Sequence, residues 1–225
     1  MIIVVPTHVD DGPRRTDVPI ANALIIAANV LLYFLGARWV VGPGTDVFSV
    51  VGYGFSHAGL GHLIVNMWTL LVIGTAVNRR LGDAYYVLCY FGTVVTLGLF
   101  ARLFAGQYLI GSSGAVFAVI AVMALLLPGV WASLGYVAVF PLTVLIGLFA
   151  RPDHWLYWLI RWGTFRLRAW WLLFLVPVLQ IFGLFWWWGN WTNLGHLLGF
   201  FCGVAFVTLL PAKVSMPGRA AYGVS

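Results

Sequence analysis

The sequence has very few charged residues. Only 8% of its 225 residues are Asp, Glu, Lys or Arg, whereas 62% are hydrophobic. A soluble domain carries about 25% charged residues, so this chain lacks the polar surface that a soluble fold of its size needs. Several apolar runs are long enough for the roughly 30 Å bilayer core. The composition therefore predicts an all-α, multi-pass integral membrane protein.

Cysteine is also scarce. Cys89 and Cys202 are the two cysteines, and both lie inside apolar runs, so neither indicates a disulfide framework or a cysteine-based metal site. The net charge of +6 does not indicate a nucleic-acid partner, because the basic residues flank apolar runs. Such flanking charges are typical of membrane topology signals.

Six apolar runs predict membrane-spanning helices. They lie at about 19–37, 59–77, 84–104, 113–127, 170–188 and 191–210. A further apolar run at 131–149 precedes a segment rich in Arg and aromatic residues. We expect 131–168 to form an extra interfacial or re-entrant segment. The resulting domains are a flexible cytoplasmic tail at 1–18, a transmembrane domain at 19–210 and a short cytoplasmic tail at 211–225.

The basic residues favour six spans over seven. With six spans and the N terminus inside, only Arg38 and Arg102 of the 12 basic residues lie outside. Seven spans divide the basic residues 8 to 4 or 4 to 8, depending on orientation. Because positive charge collects on the cytoplasmic side, six spans fit better, although seven remain an alternative.

Polar side chains inside the spans are few. The second span contains His62 and Asn66, which are four residues apart and share one helix face. Ser113 opens the fourth span within "LIGSSGAVF", and His196 lies near the start of the last span. With six spans these four residues lie at similar depth near the outer surface, whereas seven spans put Ser113 and His196 on opposite sides.

This grouping has the parts of a serine nucleophile site. A serine hydroxyl needs a base to take its proton, and His196 is a candidate base for Ser113. The side chains of His62 and Asn66 and the backbone N–H of Ser113 are suitable donors for an oxyanion.

Four glycines near these residues can be explained by close approach of the backbone. Gly111 and Gly114 flank the serines and permit close approach of a substrate to the backbone. Gly199 and Gly203 follow His196 on its helix face, and such a pair of small residues allows close helix contact. We expect this contact to hold His196 against the fourth span.

The ordered set resembles the rhomboid family of intramembrane serine proteases. The resemblance covers about residues 20–210. Its motifs are His57–x4–His62–x3–Asn66, Gly111-Ser112-Ser113-Gly114 before a helix, and His196–x2–Gly199–x3–Gly203.

The resemblance implies a rhomboid-like six-helix transmembrane bundle with a catalytic dyad. Ser113 rather than Ser112 would be the nucleophile, and His196 the general base and acid. His62, Asn66 and the Ser113 backbone would form the oxyanion hole, and His57 would be a supporting residue.

The chain departs from the family pattern in three places. The first loop is short, Asn78 stands where many rhomboids have Glu, and 131–168 is added to the six-span form.

The expected function is serine endopeptidase cleavage of transmembrane segments of membrane proteins. We expect no metal or organic cofactor, and a bacterial or archaeal cell membrane with the site toward the outer face. The main alternative is a catalytically silent rhomboid-like protein that binds transmembrane helices. A small transporter, a serine helix cap, a histidine metal site and polar helix contacts through His62 and Asn66 are further alternatives. The oligomeric state is left open.

Overall fold

The protein is described by a computed structural model over residues 2–10, 18–104, 106–139, 160–186 and 191–215. The described residues include six longer helices: α1 Ile20–Phe34, α2 Leu60–Leu81, α3 Asp83–Leu103, α4 Ser113–Leu126, α5 Leu172–Trp186 and α6 Trp191–Leu209. They also include four short helical segments: Ser49–Gly52, Tyr53–Phe55, Ala169–Trp171 and Ala212–Ser215.

Each of the six predicted spans coincides with one of these helices to within a few residues. Helices α2, α3 and α6 have 22, 21 and 19 residues and are apolar enough to cross a membrane. Helices α1, α4 and α5 are apolar but shorter. The prediction of a mostly helical membrane protein is therefore confirmed.

A small β-sheet departs from the predicted all-α fold. Strands β1 (Ile2–Asp10), β2 (Trp131–Val139) and β3 (Ile160–Arg168) form a three-stranded antiparallel sheet in the order β1-β2-β3. Gly135, in the central strand, lies opposite Val5 in β1 and Thr164 in β3. The all-α prediction is wrong for these three segments.

The N-terminal strand replaces part of the predicted flexible tail at 1–18. Residues Ile2–Asp10 are rich in β-branched Ile, Val and Thr, which pack well on a pleated surface. The indole Nε1–H of Trp68 in α2 donates a hydrogen bond to the Pro6 carbonyl oxygen (2.6 Å). Residues Ile2–Asp10 are thus a strand, and residues 11–17 lie outside the described residues.

The predicted interfacial or re-entrant segment at 131–168 has strands at both ends. Residues 140–159 between β2 and β3 lie outside the described residues. An apolar run in the sequence indicates burial but does not reveal which strands pair. Strands β2 and β3 are instead held by side-chain and backbone contacts across the sheet. The Arg168 guanidinium lies 4.6 Å from the Trp131 ring centroid, so the cationic and aromatic residues of this segment contact each other.

Helix α4 is the most buried helix and packs closely against α6. Its residues Ala118, Ala121 and Val122 are completely buried. A methyl group at Gly199 would overlap the carbonyl oxygen of Gly114, and one at Gly203 would overlap that of Ala118. The two glycines therefore allow the α6 backbone to contact the α4 backbone.

A buried polar network joins α1, α2 and α3. The Asn22 side-chain amide donates to the Leu70 carbonyl (2.8 Å), where α2 makes a π-helical turn. The Asn78 side-chain oxygen accepts from the Asn22 backbone N–H (2.9 Å), and its amide donates to Asp83 (2.8 Å). Asp83 also accepts from the Ala21 N–H (3.0 Å). The carboxylate of this network is therefore supplied by Asp83, five residues after Asn78.

We expect Gly203→Ala to lower stability by about 1–3 kcal/mol, because the added methyl forces two backbones apart. Thermal unfolding in detergent measures the effect. Gly92→Ala in α3 is the matched control, since nothing lies within 4 Å of the added methyl. Equal unfolding temperatures for Gly203→Ala and Gly92→Ala would contradict the close contact between α4 and α6.

Candidate active site

Ser113 lies where a constrained loop enters a buried helix. It is the first residue of α4, and Gly111 before it has a φ of +106°, which residues with a side chain rarely adopt. The Gly111 N–H donates to the Tyr53 carbonyl (2.9 Å). Leu109 and Val41 exchange two backbone hydrogen bonds (2.8 and 3.0 Å). These hydrogen bonds therefore hold the residues just before Ser113 against the first loop, which contains Val41 and Tyr53.

Ser113 and His196 are in hydrogen-bond contact. Their Oγ and Nε2 atoms are 3.0 Å apart, within the usual range for a side-chain hydrogen bond. The close approach of α6 to α4 at Gly199 puts His196, three residues earlier, beside the start of α4. The structure therefore joins two residues that are 83 positions apart in sequence.

Two further side chains contact the His196 imidazole, and the sequence analysis missed both. The Phe117 ring is stacked on it, with centroids 4.3 Å apart and planes inclined by 15°. Gln180 in α5 places Oε1 3.1 Å from Nδ1. Phe117 could have been found from its position four residues after Ser113, on the same helix face. Gln180 could have been noted as an isolated amide in an apolar run.

His62 and Asn66 occupy the first two turns of α2. A methyl group at Gly111 would come within 2.6 Å of the His62 imidazole, so glycine at this position lets His62 approach the loop before Ser113. Asn66 is buried, and its Nδ2 has no hydrogen-bond partner among the described residues. An unused buried donor is unusual in a folded protein.

A second serine and histidine pair lies beside the first. His57 Nε2 and Ser112 Oγ are 3.2 Å apart, and both residues are about 1% exposed. Burial, with a smaller contribution from His62, lowers the pKa of His57 to about 4, so this imidazole is neutral at pH 7. The His57 and His62 rings meet edge to face, with their centroids 5.1 Å apart, so the two imidazoles are in contact.

A cavity of about 250 Å³ opens beside Ser113. Ser113, Gly114 and His196 line it, together with Gly111 and Trp191. Ser112, His57, His62 and Asn66 are not among its lining residues. A molecule that enters the cavity would therefore meet the hydroxyl of Ser113 and not that of Ser112.

Within the described ranges, no group of three or more His, Cys, Asp or Glu side chains is arranged to hold a metal ion. A serine hydroxyl paired with an imidazole, beside hydrogen-bond donors, is suited to acyl transfer.

Comparison with curated proteins gives three relatives. Rhomboid-like protease 2 of Toxoplasma gondii is 35% identical over 79 residues, which are 34% of this chain and 28% of the relative. Rhomboid protease GluP of Bacillus subtilis is 27% identical over 118 residues, 44% of this chain and 23% of the relative. RHOMBOID-like protein 4 of Arabidopsis thaliana is 31% identical over 102 residues, 43% of this chain and 25% of the relative.

The chain thus spans about a quarter of the length of each of these relatives. They come from a plant and from Toxoplasma as well as from a bacterium, so the expectation of a bacterial or archaeal source is not supported. The family profile described as "Rhomboid domain" matches residues 44–213, which include all the predicted site residues. The chain therefore belongs to the rhomboid family.

Proposed function

We propose that this protein is an intramembrane serine endopeptidase that cleaves transmembrane segments of other membrane proteins. The observation that supports this most directly is the 3.0 Å contact between Ser113 Oγ and His196 Nε2 at the wall of a cavity. Membership of the rhomboid family supports the same reaction class.

In the proposed reaction, Ser113 Oγ attacks the carbonyl carbon of the scissile peptide bond. His196 Nε2 takes the hydroxyl proton and then delivers it to the leaving amine, which releases the first product and leaves an acyl-enzyme ester. In the second half of the reaction His196 takes a proton from water as the water oxygen attacks the ester carbon. The bond between that carbon and Ser113 Oγ then breaks, His196 returns the proton to Oγ, and the second product leaves as a carboxylic acid. No metal or organic cofactor takes part in these steps.

The oxyanion would be stabilised by three donors. The Ser113 N–H lies at the N-terminus of α4, where backbone N–H groups lack partners within the helix and the helix dipole favours negative charge. Asn66 Nδ2 is a buried donor without a partner among the described residues. His62 contacts the loop at Gly111, two residues before the nucleophile. Loss of one oxyanion donor typically slows such reactions by about 10²–10³-fold.

We propose that Ser113, and not Ser112, is the nucleophile, because Ser113 is the serine that lines the cavity. Ser113 lines the cavity, whereas Ser112 is buried against His57. A peptide backbone would have to displace the packing around His57 to reach Ser112. His57 and Ser112 would then serve as supporting residues for the loop.

The proposed topology has six spans with the site toward the outer face. This proposal is supported by the contact of Ser113 with His196, because six spans bring the starts of α4 and α6 to the same side of the membrane whereas seven spans separate them. Strand β2 follows the end of α4 and strand β3 precedes α5, so six spans with the N terminus inside would put these strands on the cytoplasmic side. The substrate helix would have to unwind locally, because its peptide bonds are hydrogen bonded within the helix.

We expect a fluorophosphonate probe to label the purified protein at Ser113. Ser113→Ala and His196→Ala should each reduce labelling about a hundredfold or more, since they remove the nucleophile and its base. Ser112→Ala is the matched control, because it removes the neighbouring hydroxyl and should retain labelling.

Labelling that is lost in Ser112→Ala but retained in Ser113→Ala would contradict the assignment of the nucleophile. A folded wild-type protein that neither reacts with the probe nor cleaves a reconstituted transmembrane substrate would support the catalytically silent, helix-binding alternative.

The topology predicts opposite accessibility for two exposed positions, Thr164 in β3 and Gly106 before α4. In a background with Cys89→Ala and Cys202→Ala, a membrane-impermeant maleimide should label Gly106→Cys in intact cells. Thr164→Cys should be labelled only after the membrane is permeabilised. Labelling of both positions from the outside would exclude the six-span arrangement.

A further inference from the structure

Gln180 is an isolated polar residue in α5. The helix sequence LLFLVPVLQIFGLFW contains one amide side chain and no hydroxyl or charged side chain. Neighbouring side chains Leu179 and Phe182 are 63% and 57% exposed and present an apolar surface, as a lipid-facing helix does. Burying an amide in apolar surroundings is unfavourable unless it is hydrogen bonded. The hydrogen-bond partner of Gln180 therefore indicates why an amide occurs at this position.

That partner is the ring nitrogen of His196 that Ser113 does not use. Gln180 Oε1 lies 3.1 Å from His196 Nδ1, and His196 Nε2 lies 3.0 Å from Ser113 Oγ. The three side chains form one continuous line of hydrogen bonds that joins α5, α6 and α4.

The direction of these hydrogen bonds determines the chemistry. An amide oxygen only accepts hydrogen bonds, so with Oε1 of Gln180 facing the ring this bond requires the imidazole proton to be on Nδ1. The lone pair of Nε2 then faces the Ser113 hydroxyl and can take its proton. The opposite tautomer would place a proton on Nε2 and could not act as a base toward Ser113.

Close packing keeps Gln180 within reach of His196. A side chain at Gly183, one turn after Gln180, would overlap the Asn193 side chain, so glycine lets α5 approach α6 near His196. Phe117 covers one face of the same imidazole. The ring is therefore held at one face by Phe117 and at its two nitrogens by Gln180 and Ser113.

We propose that Gln180 is a positioning residue for His196, which selects the tautomer with the proton on Nδ1 and holds the ring toward Ser113. This inference rests on the proposed protease function and adds a third group to the expected dyad. Once His196 has accepted the serine proton, its Nδ1–H becomes a stronger donor, so the bond to Gln180 also stabilises the imidazolium.

Three substitutions at position 180 test the proposal. Gln180→Met has a similar length but no hydrogen-bond acceptor. Gln180→Asn keeps an amide in the helix but is one methylene too short. Gln180→Glu keeps an acceptor at the same distance. Leu179→Met, at an exposed neighbouring position, is the matched control, and thermal unfolding of each variant reports folding.

We expect kcat for a reconstituted transmembrane substrate to fall about tenfold in Gln180→Met and Gln180→Asn, with KM changed less than about twofold. Gln180→Glu should restore kcat to within about threefold of the wild type, and Leu179→Met should have no effect. A change in KM with kcat unaffected would overturn the positioning role. A fall in kcat in Gln180→Glu as large as that in Gln180→Met would overturn it as well.

Nitrogen-15 NMR of the histidine side chains provides a readout that does not require activity. The His196 resonances should show the proton on Nδ1 in the wild type and in Gln180→Glu, and a mixture of tautomers in Gln180→Met. An unchanged tautomer in a folded Gln180→Met protein would overturn the proposal. If the wild type has the Nδ1–H tautomer but no hydrolytic activity, the proposed function fails while the positioning contact stands.

Discussion

The backbone contact between α4 and α6 is the constraint on which the site depends. Gly199 and Gly203 allow α6 to touch the carbonyl groups of Gly114 and Ala118. In a bilayer, lipid tails are as apolar as the side chains between helices, so packing of small residues supplies much of the attraction. Any larger residue at these glycines would move His196 away from Ser113. The same contact therefore determines helix association and site geometry.

Two groups of polar side chains among the described residues differ in how far their hydrogen bonds are satisfied. The network of Asn22, Asn78 and Asp83 satisfies its donors and acceptors internally and fastens the ends of α1, α2 and α3. In the candidate site, by contrast, the side-chain NH2 of Asn66 has no hydrogen-bond partner among the described residues. A satisfied network stabilises a fold, whereas the unsatisfied donor of Asn66 is one of the groups proposed to bind the oxyanion.

The helices were predictable because a long apolar run has few alternatives in a membrane. The proximity of Ser113 and His196 followed from the shared direction of the second, fourth and sixth spans. The sheet was not predictable in the same way, because β1 pairs with residues more than 120 positions later, and no local pattern specifies that partner. Gln180 was missed because its function depends on the distance between α5 and α6. Phe117 was missed because an aromatic residue in an apolar helix is usually a packing residue.

The central claim is that Ser113, activated by His196, cleaves a peptide bond within the membrane. The most direct test is to reconstitute the protein in liposomes with a substrate that carries one transmembrane segment, and to determine the fragment masses. The account predicts two fragments that sum to the substrate plus one water, with the cut inside the transmembrane segment toward its outer end, and no fragments with Ser113→Ala. Cleavage that persists in Ser113→Ala, or an intact substrate with folded wild-type protein, would contradict it.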